Sequence, residues 1–204
     1  YTRIVIDLEQ ASALFGKYSK RRGDFRINGT ATDILLSRVY LYMEEWDRAI
    51  EAANRAIKTA EGLTDYTTVE AGNQFYMTTY ELSEVEWLFD MSITNFPFVP
   101  SGDLLSKYTN GDKRETLWFN ANGSISKRAQ KSGWGPNRTI RISEAYLNRA
   151  EALVLSQNAN IGEALADLNE LRRHRIVGYQ DISISDATIL LGEIRVERRL
   201  ELCF

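Results

Sequence analysis

Six residues do most to limit what this chain can fold into. Trp46, Ala49, Ile50, Ala53, Ile57 and Ala60 fall at offsets of 3, 4, 7, 11 and 14 from the first. Those offsets put all six on one stripe of a 3.6-residue helix. Half of the stripe is alanine, so a neighbouring helix can approach it closely. Stacked helix hairpins of the tetratricopeptide (TPR) kind are built this way. The preceding helix is predicted to start near Thr30, which can cap free amide groups, and to run through Ala31, Leu35, Val39 and Tyr42. Its Val39-Tyr40-Leu41 supplies bulk against the alanines, and Gly62 stands where a C-cap glycine belongs.

The same plan recurs near the other end. From Ile140 a helix is predicted with Ile142, Ala145, Tyr146, Ala150 and Leu153 on one face and Arg141, Glu144, Asn148 and Glu151 on the opposite one. Ile161, Ala164, Leu165, Leu168 and Leu171 form its partner. Residues 178–185 read as a loop, and a last, densely charged helix starts at Ile189. At the start of the chain, Ile4, Leu8, Ala11 and Phe15 mark one more amphipathic helix, broken by Gly16 and the stretch after it.

Between the helical parts the character changes. Thr67-Thr68-Val69, residues 75–80 and Val85-Glu86-Trp87-Leu88-Phe89 are β-branched and aromatic, as in strands or extended loops. Asn95 to Pro100, Asn110-Gly111-Asp112, Asn122-Gly123-Ser124 and Gly133-Trp134-Gly135-Pro136 carry turn chemistry. The fold class is therefore mainly α: TPR-like helix pairs in an α-α superhelix, with an irregular, partly β and loop insertion. Three parts are expected: 1–62, TPR-like and helical; 63–139, aromatic-rich and the candidate ligand region; and 140–204, helical again.

Several function classes find little support. With 25 basic and 28 acidic side chains the net charge is -3, which gives no broad footprint for nucleic acid. The basic runs Lys17 to Arg22 and Arg172 to Arg175 read as a solvated loop and a helix C-terminus. His174, the sole histidine, lies at that helix end, where positive charge complements the dipole. One histidine and one cysteine, Cys203, make no zinc set, so no metal or cofactor is expected. Glu144, Glu151, Glu197 and Glu201 could form a glycosidase pair. Arg141 and Arg198, three positions before Glu144 and Glu201, point instead to ion pairs that lower carboxylate pKa, the wrong direction for a general acid. No catalytic residues are assigned, and an enzyme is not expected.

The four Trp, ten Tyr and eight Phe are what a binding function would use. Sugar rings present flat C–H faces that an exposed indole or phenol meets by dispersion. Trp134, between two glycines and near Lys131, Asn137 and Arg138, is the leading platform; Tyr76, Tyr80 and Asn73 are further candidates. Trp87 and Trp118 sit in apolar runs and are predicted to be core, as is Trp46.

Three blocks then resemble a known family in order and spacing. They are Ile140-Arg141-Ile142-Ser143-Glu144-Ala145-Tyr146-Leu147-Asn148-Arg149-Ala150-Glu151-Ala152, Ala164-Leu165-Ala166-Asp167-Leu168-Asn169-Glu170-Leu171-Arg172-Arg173, and Glu197-Arg198-Arg199-Leu200-Glu201-Leu202. With Asp112-Lys113-Arg114 and the upstream Tyr40-Leu41-Tyr42 and Trp46-Asp47-Arg48-Ala49-Ile50, they resemble SusD/RagB proteins along nearly the whole chain. The chain departs from the family in a short middle segment and in stopping before the family's further glycine, aromatic and Arg residues. Both ends look cut, since Tyr1 is not a start methionine and Phe204 closes an unfinished helix, so a fragment is expected.

The resemblance implies a helical TPR-like scaffold and a lipid anchor outside this chain. It also implies an outward-facing place on a Bacteroidetes-type outer membrane. There the protein would bind oligosaccharide or another nutrient and deliver it to a SusC-like TonB-dependent transporter. The alternative is a TPR-type protein–protein adaptor that touches no sugar.

Overall fold

The computed structural model describes residues 1–18, 26–69, 85–90, 99–119 and 138–203; for Val85, residues 87–90, Arg138 and Thr139 it describes backbone alone. In chain order the elements are α1 (Thr2–Lys17), α2 (Gly29–Tyr42), α3 (Trp46–Thr59), a 3-10 turn (Tyr66–Thr68) and β1 (Val85–Asp90). There follow α4 (Gly102–Leu105), α5 (Lys113–Trp118), β2 (Arg138–Arg141), α6 (Ile142–Leu155), α7 (Ile161–Arg173) and α8 (Ala187–Glu201). The protein is mainly helical, as its patterning predicts.

The start of α2 is set by Asn28 and not by Thr30. The Asn28 Oδ1 accepts the Ala31 N–H at 2.8 Å, and its Nδ2 donates to the Glu86 carbonyl, also at 2.8 Å. Thr30 instead shares a hydroxyl hydrogen bond with Thr59 on α3. Asn28 wins because it satisfies a helix-end donor and a strand carbonyl together.

At the other end of α2, Glu45 N–H reaches the Tyr40 carbonyl at 2.9 Å and Glu44 N–H the Leu41 carbonyl at 3.2 Å, a Schellman closure. Glu44 occupies the left-handed position there, at φ 60°. On α3 the helix ends at Thr59, with Ala60 as its extended cap; Gly62 takes its positive φ two residues later.

Alanines line the buried face of α3. Ala49, Ala52, Ala53 and Ala56 of α3 are fully buried. Ala53 and Ala56 share a cluster with Ile142 and Ala145 of α6, while Ala49 and Ala52 share one with Ala152. The two helix pairs therefore meet face to face, α3 on α6. On its other side α6 meets α7 and α8, through Leu147, Leu153 and Val154 against Leu168, Leu171, Leu190 and Ile194.

Enclosure of α6 overturns its predicted polar outer face. Arg141, Glu144 and Asn148 are buried, and Glu151 is half-buried. Their partners are distant in sequence: Glu144 takes Arg38 of α2, and Glu151 takes Arg195 and Arg198 of α8. The expected Arg141–Glu144 and Arg198–Glu201 pairs are replaced by these tertiary ones. Where packing covers a helix face there is no solvent to accept its polar residues, so each must find a charge or hydrogen-bond partner.

The face of α1 also differs from expectation. Val5 is its buried residue; Leu8, Ala11 and Phe15 are half-buried, and Ile4 is 49% exposed. Polar bonds turn the helix: Ser12 Oγ donates to Asp33 at 2.8 Å, and Tyr40 Oη donates to Glu9 at 2.6 Å. Thr67-Thr68 form a 3-10 turn and not a strand, because Asp65 Oδ1 accepts the Thr67 N–H at 2.9 Å and bends the chain. Of the two conformations open to Val85 to Phe89, strand or extended loop, β1 takes the strand, paired antiparallel with β2, which runs directly into α6.

Candidate functional site

The described stems of the segment 63–139 are sewn to the α7–α8 connection by backbone bonds. Tyr66 N–H donates to the His174 carbonyl at 2.9 Å, Lys113 N–H to the Arg175 carbonyl at 2.9 Å, and Val177 N–H to the Gly111 carbonyl at 3.0 Å. Gly111 makes that approach at φ 90°, and a Cβ there would meet the Val177 carbonyl oxygen at 3.2 Å.

Between these stems lies a buried charge cluster. Asp112 caps α5 and grips Arg114 twice, at 3.0 Å to Nε and 2.7 Å to Nη2. Arg114 Nη1 also meets Glu197 at 2.6 Å and Glu201 at 3.0 Å. Arg175 clasps the Glu201 carboxylate with Nε and Nη2, both at 3.0 Å, and donates from Nη1 to the Thr64 carbonyl at 2.9 Å. Arg141 Nη1 reaches Glu201 at 2.8 Å, and Arg172 Nε reaches Glu197 at 2.7 Å.

Arg114, Arg175, Glu197 and Glu201 are each at most 1% exposed. Aromatic rings close the layer: Arg175 lies over Tyr66 at 4.0 Å, Tyr66 meets Trp118 edge-on at 6.1 Å, and Arg141 lies over Trp118 at 5.3 Å. Trp118 is fully buried core, as predicted, and Trp46 is half-buried against the α2–α3 core.

Such a cluster is built to hold and not to transfer protons. Burial alone pushes the Glu197 and Glu201 carboxyls up. The guanidiniums of Arg114 and Arg172 outweigh it at Glu197, and those of Arg175, Arg141 and Arg114 do so at Glu201. Both stay below the ordinary range, Glu201 well below. A carboxyl that stays ionised in contact with several guanidiniums is a poor general acid. His174 is similarly occupied, with Nδ1 at 2.8 Å from the Glu170 carbonyl oxygen. The basic run beside it is taken up by Glu193, Glu197, Asp181, Glu170 and Glu201. Among the described residues, no three His, Cys, Asp or Glu side chains are placed to hold a metal ion.

Of the predicted ligand-binding residues, Lys131, Trp134, Asn137, Tyr76, Tyr80 and Asn73 lie outside the described residues. Arg138 opens β2, its backbone in register with Asp90; Trp87 is in β1, in register with Ile140. The convergence of Arg114, Arg141, Glu197 and Glu201 is not readable from helical periodicity. Its only signal is that all four belong to the blocks that carry the family resemblance.

A sequence profile described as the SusD family matches residues 64–204. The chain belongs to the SusD family. Its fold is similar to a SusD-like carbohydrate binding protein from Bacteroides vulgatus, with TM-score 0.74 and 21% identity over 98% of this chain and 48% of that one. A SusD superfamily protein from Bacteroides thetaiotaomicron is similar at TM-score 0.66 and 26% identity, over 90% and 49% of the two chains. Surface glycan-binding protein A from Bacteroides uniformis is similar at TM-score 0.63 and 16% identity, over 98% and 54%. This SusD family chain thus spans about half the length of the solved structures it resembles. No curated protein matches it. Among the described residues no helix is long and apolar enough to cross a membrane.

Proposed function

We propose that this SusD family chain belongs to a non-enzymatic, lipid-anchored protein on the outward face of the outer membrane. It captures oligosaccharide or a similar nutrient and passes it to a SusC-like TonB-dependent transporter. The observation that carries this reading is the closed charge cluster within a SusD family chain: its carboxylates are bound by arginines, and the stems it holds lead into an aromatic-rich segment. Binding then falls to segment 63–139, where Trp134 stacks on a sugar ring and Lys131, Asn137 and Arg138 bond its hydroxyls; Tyr76, Tyr80 and Asn73 are further contacts. Support comes from relatives described as a carbohydrate binding protein and as a surface glycan-binding protein.

Calorimetry of the full-length protein against an oligosaccharide panel tests the binding. One glycan is expected to give heat, and Trp134→Ala to weaken it by about tenfold or more, as for a central aromatic contact. Absence of heat with every glycan overturns the reading. Copurification with a large outer-membrane transporter tests the delivery step separately.

A further inference from the structure

Glu201 is the last residue of α8, and its one carboxylate meets three buried guanidiniums from three separate stretches of chain. Arg114 lies on α5, which leads into residues 120–137, and Arg141 closes β2, which leads out of them. Arg175 carries Thr64 and the Tyr66 ring, at the head of the stretch that leads into 70–84. The Glu201 backbone carbonyl also accepts from Arg141 Nη2, as suits the negative end of a helix. Both stems of 120–137 and the entry stem of 70–84 therefore each bring an arginine contact to this one residue, in addition to the backbone bonds at Tyr66, Gly111 and Lys113.

The helical frame has a different support. The alanine contacts of α3 with α6 and the leucine contacts of α6 with α7 and α8 hold it by apolar packing. Glu201 is fully buried, so bulk water does not stand in when its charge or reach is altered. The aromatic layer responds with it, because Tyr66 and Trp118 are stacked between the Arg175 and Arg141 guanidiniums.

We infer that Glu201 is a positioning residue: through Arg114, Arg141 and Arg175 it sets where the stems of the ligand region leave the helical frame. The inference rests on the proposed function for its consequence in binding, and on the cluster geometry alone for its consequence in structure.

The test is hydrogen exchange and glycan calorimetry on full-length Glu201→Gln and Glu201→Asp proteins. Aspartate keeps the charge but draws the carboxylate back by one methylene, so it cannot span all three arginines. In both variants exchange is expected to quicken roughly a hundredfold in 64–69, 111–119 and 138–141, and far less in α2, α3 and α7. Glycan affinity is expected to fall about tenfold at unchanged stoichiometry.

Wild-type exchange in the Glu201→Asp protein means charge alone matters and overturns the inference, as does acceleration spread evenly over all helices. Should neither variant fold, Arg141→Lys, which keeps charge but not the two-point grip, is expected to quicken 138–141 selectively; unchanged protection there overturns the inference. If the wild-type protein binds no glycan, the proposed function fails while the exchange pattern still decides the role of Glu201.

Discussion

Replacing Asn148 by alanine distinguishes an outward-facing α6 from an enclosed one. Asn148 is fully buried; its Nδ2 donates to Ser37 Oγ of α2 at 2.8 Å, and its Oδ1 accepts from Arg198 Nη1 of α8 at 2.9 Å. The neutral bond is worth about 1 kcal/mol and the charged one roughly 1.5–3 kcal/mol. The lower part of that range applies to the second, because Arg198 keeps Glu151 at 3.0 Å and its charge is not left alone. Alanine returns roughly 0.5 kcal/mol in helix propensity. The expected net loss is about 2–3 kcal/mol. In urea unfolding, with a slope of about 2 kcal/mol/M for a domain of this size, the midpoint falls by roughly 1–1.5 M at unchanged slope.

A double cycle with Ser37→Ala should return a coupling of about 1 kcal/mol. An asparagine on a solvated face would shift stability by less than about 0.5 kcal/mol. A midpoint within ~0.25 M of wild type would therefore refute the enclosed position of α6.

Acid sensitivity follows from Glu197 and Glu201. Their carboxyls titrate near about 4.3 in an unfolded chain and lower when folded. Their contribution is thus complete above that value and lost as pH falls through the folded pKa values. Melting temperature is expected to decline below about pH 4.3, more gently in Glu201→Gln. Asp167, raised by burial despite Arg149, works in the opposite sense and blunts the decline. A profile flat from neutral pH down to about pH 3 would contradict this. Glu44→Gly relieves a left-handed residue in the α2–α3 turn and is expected to add about 1 kcal/mol, or roughly 2–4 °C by thermal unfolding. Asn28→Ala is expected to cost about 2 kcal/mol by denaturant unfolding, and Thr30→Ala under about 0.5 kcal/mol, since the cap belongs to Asn28. Equal losses would reassign it.

Local periodicity by itself determined the long helices α1, α2, α3, α6, α7 and α8 and that α3 buries alanines, while the short α4 and α5 were not legible in it. Helical spacing is a property of neighbours in sequence, so Trp46 to Ala60 and Ile161 to Leu171 are legible without any tertiary contact. The family, too, was legible, because its blocks are linear strings. Only the tertiary structure decided which faces meet and which charges pair. Arg141 sits three residues from Glu144 in sequence, yet it bonds Glu201, while Glu144 takes Arg38. The physical reason is enclosure: once α2, α3, α7 and α8 surround α6, its polar side chains lose water, and the partners that replace it come from whichever segment the packing brings near.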